Sequence, residues 1–393
     1  MAITGNPITV QVTPCLSLVG TSAFAISVAN PAWDGIIERS YDRASWKEWD
    51  GTAISSKGNR LFLRGKRNTV ITPTSIPWEI TVTGSTRVDI LGNIETLLDF
   101  GTVWSGRHPT MGAGCFSYMF DGWTPLRTPP VLGAVTLSGG CYGGMFRNCT
   151  NLTSAPMLDA ETLPVSCYSY MFYGCTSLTV PPTLPATALA QSCYSYMFSK
   201  CTRLAVPPML PATSLAPDCY FSMFQDCLQL AAAPSLPAVN LEPRCYQNMF
   251  ANCDMLTAAP SLPATRLADS CYRGMFDQSG RLETPPALPA TVLGSACYYN
   301  MFRGCTALTS VPIIPATYFP QASCYGMFFG CTSLKISASY VSGGYPYAYR
   351  IPSEGTGVGD SQWNYQMFYG TGGTWAGTPS INTTYYTENQ PVG

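Results

Sequence analysis

The dipeptide Met-Phe recurs at Met119, Met145, Met171, Met197, Met223, Met249, Met275, Met301 and Met327, each step 26 residues, and a tenth copy follows at Met367. Nine in-phase copies constrain the chain more than any other feature, because a unit this short cannot bury an apolar face alone and must stack on its neighbours. The unit reads Cys-Tyr-x-x-Met-Phe-x-x-Cys-x-x-Leu-x-x-x-Pro-x-Leu-Pro-Ala-Thr-x-Leu, and residues 193–215 are a well-preserved copy.

Two patterns alternate within the unit. Leu189, Cys193, Met197 and Cys201 lie four apart, with Tyr194 and Phe198 beside them. At about 100° per residue these six cover half of a helix circumference, wide enough to touch a core and two stacked neighbours. Thr187 stands where an N-cap hydroxyl is wanted. Gly122, Gly174, Gly304 and Gly330, with Asn148 and Asn252, stand at or beside the second cysteine, where a left-handed residue stops a helix. The spacing therefore predicts a helix of about three turns. The following Leu178-Thr179-Val180-Pro181-Pro182 is proline-ended and leaves room for a strand of about three residues.

Strand, turn, helix and turn in 26 residues predict an α/β repeat solenoid of the leucine-rich-repeat type, with short concave strands and convex helices. The stretch Cys-Tyr-x-x-Met-Phe-x-Gly-Cys-Thr-Ser-Leu-Thr at 167–179 resembles the BspA-type (Treponema-type) leucine-rich repeats of gut Bacteroidales surface proteins and of proteins of their phages. The resemblance covers residues 115–335, and the Gly/Tyr-rich tail looks like the closing segment of the same group. It implies adhesion, host-interaction or virion roles.

The chain has 17 cysteines, sixteen of them from residue 115 onward. The two in one unit are eight residues apart, about 12 Å along a helix, beyond the reach of a disulfide. They are expected to be small buried residues of the repeating core. Zinc would need closer Cys pairs or histidine partners. Trp123 and Ser279 replace the second cysteine in two units without breaking phase.

Residues 1–100 hold nine Lys/Arg and nine Asp/Glu and read as a small all-β sandwich-like domain. Alternating runs at 8–12, 24–28, 60–64, 78–82 and 87–91 predict strands, with a turn at Gly84-Ser85. Trp33, Trp46, Trp49 and Trp78 are candidates for its core. Residues 41–46 resemble the hairpin of bacterial Ig-like modules. The organisation expected is an attachment or capping domain over 1–100, the solenoid over 101–336 and an irregular closing coil over 337–393. Trp363, Tyr365 and Trp375 are expected to close that last core. Residues 1–14 carry no Lys or Arg, so no secretory leader is expected, and no membrane span is read from the sequence.

With a net charge of −1 and only 11% charged residues, the chain has no basic face for nucleic acid. Its single histidine, His108, makes a catalytic triad hard to assemble, and it reads as a loop residue. Acids do not recur at one position of the unit, and no nucleophile elbow or phosphate loop has its context. No enzyme, metal or cofactor is expected.

What remains is surface. The position after the repeat leucine reads Arg127, Thr153, Thr179, Ala205, Ala231, Thr257, Glu283, Thr309 and Lys335, a strip that is small and nearly neutral in the middle, with charge towards both ends. Tyr118, Tyr170, Tyr196, Arg273 and Tyr299 occupy outward helical positions, and tyrosine offers contact area at low entropic cost. The expected function is a non-enzymatic phage virion surface protein: a fibre, decoration or receptor-binding component assembled in the host cytosol. Its N-terminal domain would meet other virion proteins, and its solenoid a bacterial surface protein or glycan. A bacterial cell-surface adhesin is the alternative.

Overall fold

The computed structural model describes residues 13–72 and 76–393. The alternating run expected at 8–12 lies outside the described residues. The N-terminal part forms β1 (Leu16–Gly20), β2 (Phe24–Ser27), β3 (Ile36–Ser40), β4 (Lys47–Glu48), β5 (Ile54–Ser55), β6 (Arg60–Lys66), β7 (Glu79–Val82) and β8 (Val88–Leu91). After it comes α1 (Thr96–Trp104), and then β9 (Leu126–Thr128) within the first coil. One sheet has the order β4-β3-β6-β1-β8-β9, and a second has β5-β2-β7. Residues 41–46 do form the β3–β4 turn, which pairs Arg39 with Lys47. Asp42 organises this turn by accepting the Ala44 and Ser45 N–H groups, and those bonds hold its carboxyl down at about 2. Trp33, Trp49 and Trp78 gather in one cluster, with ring centroids 5.3–6.2 Å apart. Trp46 stands outside it, under the Arg64 guanidinium.

The repeat does not form an α/β solenoid with convex helices. The single helix among the described residues, α1, lies ahead of the repeats and is broken at Asp99, whose carboxylate caps its second half by accepting the Thr102 N–H. In the repeats, the segment expected to be helical is a run of consecutive tight turns. Every fourth residue is left-handed: Ser192, Tyr196 and Lys200 in one coil, Asp218, Ser222 and Asp226 in the next, Arg244, Asn248 and Asn252 in the one after. A helix drifts by about 40° over four residues, whereas a turn reset by one left-handed residue in four does not. Cys193, Met197 and Cys201 therefore point to one interior with no helix present. Gly174 and Asn252 are left-handed where a helix stop was expected, but as third members of these series.

The turns solve the backbone hydrogen-bond problem by alternation. Odd residues donate locally, as Met197 N–H does to the Tyr194 carbonyl (3.1 Å). Even residues donate along the stack, as Ser192, Tyr194, Tyr196, Phe198 and Lys200 do to the Pro217, Cys219, Phe221, Met223 and Gln225 carbonyls at 2.8–3.1 Å. Few buried peptide groups can go unpaired, and this pattern leaves neither donor nor acceptor over.

The rest of each coil is extended and thinly bonded. Parallel pairing is reduced to the two-residue strands β10 (Thr162–Leu163) and β11 (Ala188–Leu189) and to single bridges such as Ser154–Val180 and Ala258–Thr284. Concave strands of three residues therefore do not form at 178–182, where successive prolines remove ladder donors. Thr187 is no N-cap; its N–H donates across the stack to the Glu161 carbonyl (3.2 Å).

Stacking in register lines up identical side chains. From Phe120 to Phe368 ten phenylalanine rings stack at centroid steps of 5.2–5.8 Å. Tyr142 to Tyr298 form a second file at 5.7–6.3 Å. The phenylalanine file ends on rings set edge-on: Trp123 against Phe120, and Tyr349 and Trp375 against Phe368.

Both ends of the stack are closed by backbone hydrogen bonds. Ahead of the first coil, Ile71 and Thr72 donate to the Cys115 carbonyl and Trp78 to the Met119 carbonyl. β8 also pairs in parallel with β9. β12 (Tyr318–Phe319) comes just ahead of Met327, and past Met327 the period lengthens to take in β13 (Lys335–Ser337), β14 (Tyr347–Arg350) and β15 (Val358–Gly359), then β16 (Gly372–Gly373) and β17 (Thr384–Thr387). β14, β17, β13 and β16 form one sheet in that order. In the last coil, Phe368 N–H donates to the Gly377 carbonyl.

Candidate binding surface

The interior leaves little room for chemistry. All 17 cysteines are buried and unbonded to one another. Burial pushes their thiols up, for Cys141 and Cys193 to about 12. The second cysteine of each coil does more than fill space. Cys149, Cys175, Cys201, Cys227, Cys253, Cys305 and Cys331 each donate S–H to the phenylalanine carbonyl of the preceding coil at 3.0–3.2 Å. Ser279 makes the same bond to Phe250 at 2.7 Å, and the Trp123 indole N–H makes it to the Trp78 carbonyl. The two residues that break the cysteine pattern are thus the two other side chains that can donate there.

His108 is not a free loop residue. Its Nδ1 lies 3.0 Å from both carboxylate oxygens of the fully buried Glu95, which also accepts from Asn93 Nδ2 (3.0 Å). The pair ties the end of α1 to the base of the stack. Among the described residues, no three His, Cys, Asp or Glu side chains are grouped to hold a metal.

The strip is placed on one outer wall. Arg127, Thr153, Thr179, Thr257, Glu283 and Thr309 are all exposed. Single parallel bonds keep them in file: Thr179 N–H donates to the Thr153 carbonyl (3.0 Å), Glu283 to Thr257 (3.2 Å) and Thr309 to Glu283 (3.1 Å). The charges at its ends are engaged. Arg127 forks onto Asp89 of β8, which holds the Asp89 carboxyl below its usual range, and Lys335 meets Glu388 at 3.1 Å. The middle of the wall presents hydroxyls and methyls with no formal charge.

The sequence reading missed the rows beside the strip. Val180 and Val206 follow it by one residue, and Met157 and Met209 stand in the Pro-x-Leu segments. Met157 is 69%, Val206 66% and Met209 83% exposed. The signal was present as apolar residues at variable positions of an otherwise regular unit.

The tyrosines do not join the strip, nor do they share one row. Tyr118, Tyr170 and Tyr196 are half-buried, left-handed turn residues, and the rings of Tyr170 and Tyr196 stack at 4.5 Å. Burial first, then Tyr196, pushes the Tyr170 phenol up to about 12. Tyr299 belongs to the neighbouring file, stacked on Tyr325 at 4.7 Å with the Arg273 guanidinium over its other side at 4.3 Å. No family model, curated protein or solved structure matches the chain. Among the described residues no helix is long and apolar enough to cross a membrane.

Proposed function

We propose that this protein is a non-enzymatic display column on the surface of a phage particle: a fibre, decoration or receptor-binding component. The observation that carries this reading is the continuous hydrogen-bonded stack, which spends its buried aromatic and sulfur side chains on its own interior and offers partners an outer wall whose middle is uncharged. A rigid wall of this kind suits contact with a protein or glycan surface, since few side chains need ordering on binding. Buried free thiols suit assembly in a reducing cytosol. The resemblance of the repeat unit to BspA-type sequences of surface and phage proteins points the same way.

Mass spectrometry of purified virions against host outer-membrane fractions tests it. The protein is expected at structural stoichiometry in virions. Recovery from the outer membrane alone overturns the particle assignment in favour of a bacterial adhesin. Placing charge in the neutral wall, as Thr179→Arg with Thr257→Arg, is expected to reduce host adsorption while leaving particle content unchanged. Because Ile71, Thr72 and Trp78 bond directly to the first coil, deleting residues 1–100 would uncap the stack, so docking by that domain is better tested with exposed point substitutions on β4.

A further inference from the structure

We propose that the closing sheet carries a binding site for a neutral saccharide, in the cleft between β14 and the segment after β17. The cleft has a volume of about 530 Å³ and is lined by Tyr347, Arg350, Ser353, Glu354, Thr384 and Gln390. That size lies within the range of small-molecule sites.

Four observations select the ligand class. The Tyr347 ring is 40% exposed and, unlike the rings of the two interior files, stacks on no other ring among the described residues. It stands on an edge strand, since β14 pairs with β17 alone. Second, the Glu354 carboxylate, the Gln390 amide and the Ser353 and Thr384 hydroxyls take no side-chain partner among the described residues, although side chains of this chain are often paired across its coils. Third, Arg350 is fixed in the wall by bonds to the Pro352 carbonyl (3.1 Å) and to Asn382 Oδ1 (3.2 Å), so its planar donors are pre-oriented. Fourth, one guanidinium and one carboxylate balance, so the cleft gives no net attraction to phosphate or sulfate.

A pyranose meets these terms together. Its axial C–H face packs on the negative face of an aromatic ring, and its vicinal hydroxyls both donate and accept, matching a carboxylate, an amide and two hydroxyls. The inference gives the display reading a ligand class but rests on the cleft alone: virion mass spectrometry and sugar titration fail independently.

The test uses the full chain and a set of methyl glycosides of neutral hexoses and N-acetylhexosamines, followed by saturation-transfer NMR and calorimetry. At least one glycoside is expected to bind, with Tyr347→Ala and Glu354→Gln each weakening it about tenfold. Tyr340→Ala, on an exposed ring outside the cleft, is expected to leave binding unchanged. All three side chains are exposed, so unchanged melting curves certify the fold. Absence of binding by every glycoside, affinity unchanged in both cleft variants, or binding of glucose 6-phosphate in preference to glucose overturns the proposal.

Discussion

The sulfur atom of Cys201 sits 3.1 Å from the Phe172 carbonyl, and that bond separates two accounts of the cysteines. As simple apolar filler, cysteine should tolerate alanine better than serine. As a donor, Cys201→Ser is expected to be nearly neutral and Cys201→Ala to cost about 1–2 kcal/mol, read from urea midpoints. Burial of the cysteines was legible in their in-phase recurrence. Their donor role was legible only in the exceptions, Ser279 and Trp123, which share a donor and nothing else. Thiol titration is expected to find 17 reactive groups only after denaturation. The raised thiols also fix the sign of the pH response. Below the ordinary thiol range both states hold their protons and stability is complete. Above it the unfolded chain ionises first, so each thiol withdraws up to about 1.4 kcal/mol per pH unit. The urea midpoint at about pH 10 is therefore expected to fall well below that at about pH 7. At the binding wall, the threonine strip could be read from one position of the unit, and the register alone separates Tyr299, two residues before Met301, from Tyr196, one residue before Met197.

At the scale of the element, the four-residue spacing had two physical origins and the sequence reading took the commoner one. Helix and turn series both bring Cys193, Met197 and Cys201 to one side. The discriminating sign is that the buried pairs Cys193-Tyr194 and Met197-Phe198, followed by Cys201, keep an unchanging phase of four, which fits a ribbon reset at each turn better than a 3.6-residue period. The residues at the resetting positions, among them Gly144, Asn248 and Asp218, are also enriched in types that tolerate left-handed backbone. Ala296 is left-handed without that help, at φ 51°. Ala296→Gly is expected to stabilise by about 1 kcal/mol here, whereas in a helix interior it would destabilise by about as much. Thermal melts of this one variant decide between the two, and far-UV circular dichroism is expected to lack a strong helical band.

On the scale of the whole molecule, each coil bonds only to its neighbours, so length is adjustable in whole units. Removing residues 219–244, one full 26-residue period, is expected to leave a cooperative melt at a lower temperature. Taking out one residue more puts every later side chain out of file and is expected to give an unfolded or aggregated product. The stack as an assembly of 26-residue coils was readable from Met-Phe alone. Its closures were not, because Ile71, Trp78 and Gly377 act through backbone atoms that leave no mark on residue identity. Those closures differ in kind: the first coil turns bare carbonyls outward and receives donors, while the last turns N–H groups outward and receives acceptors. Two such columns stripped of their lids could therefore join only nose to tail, and any chimera that borrows a lid must borrow it from the matching pole.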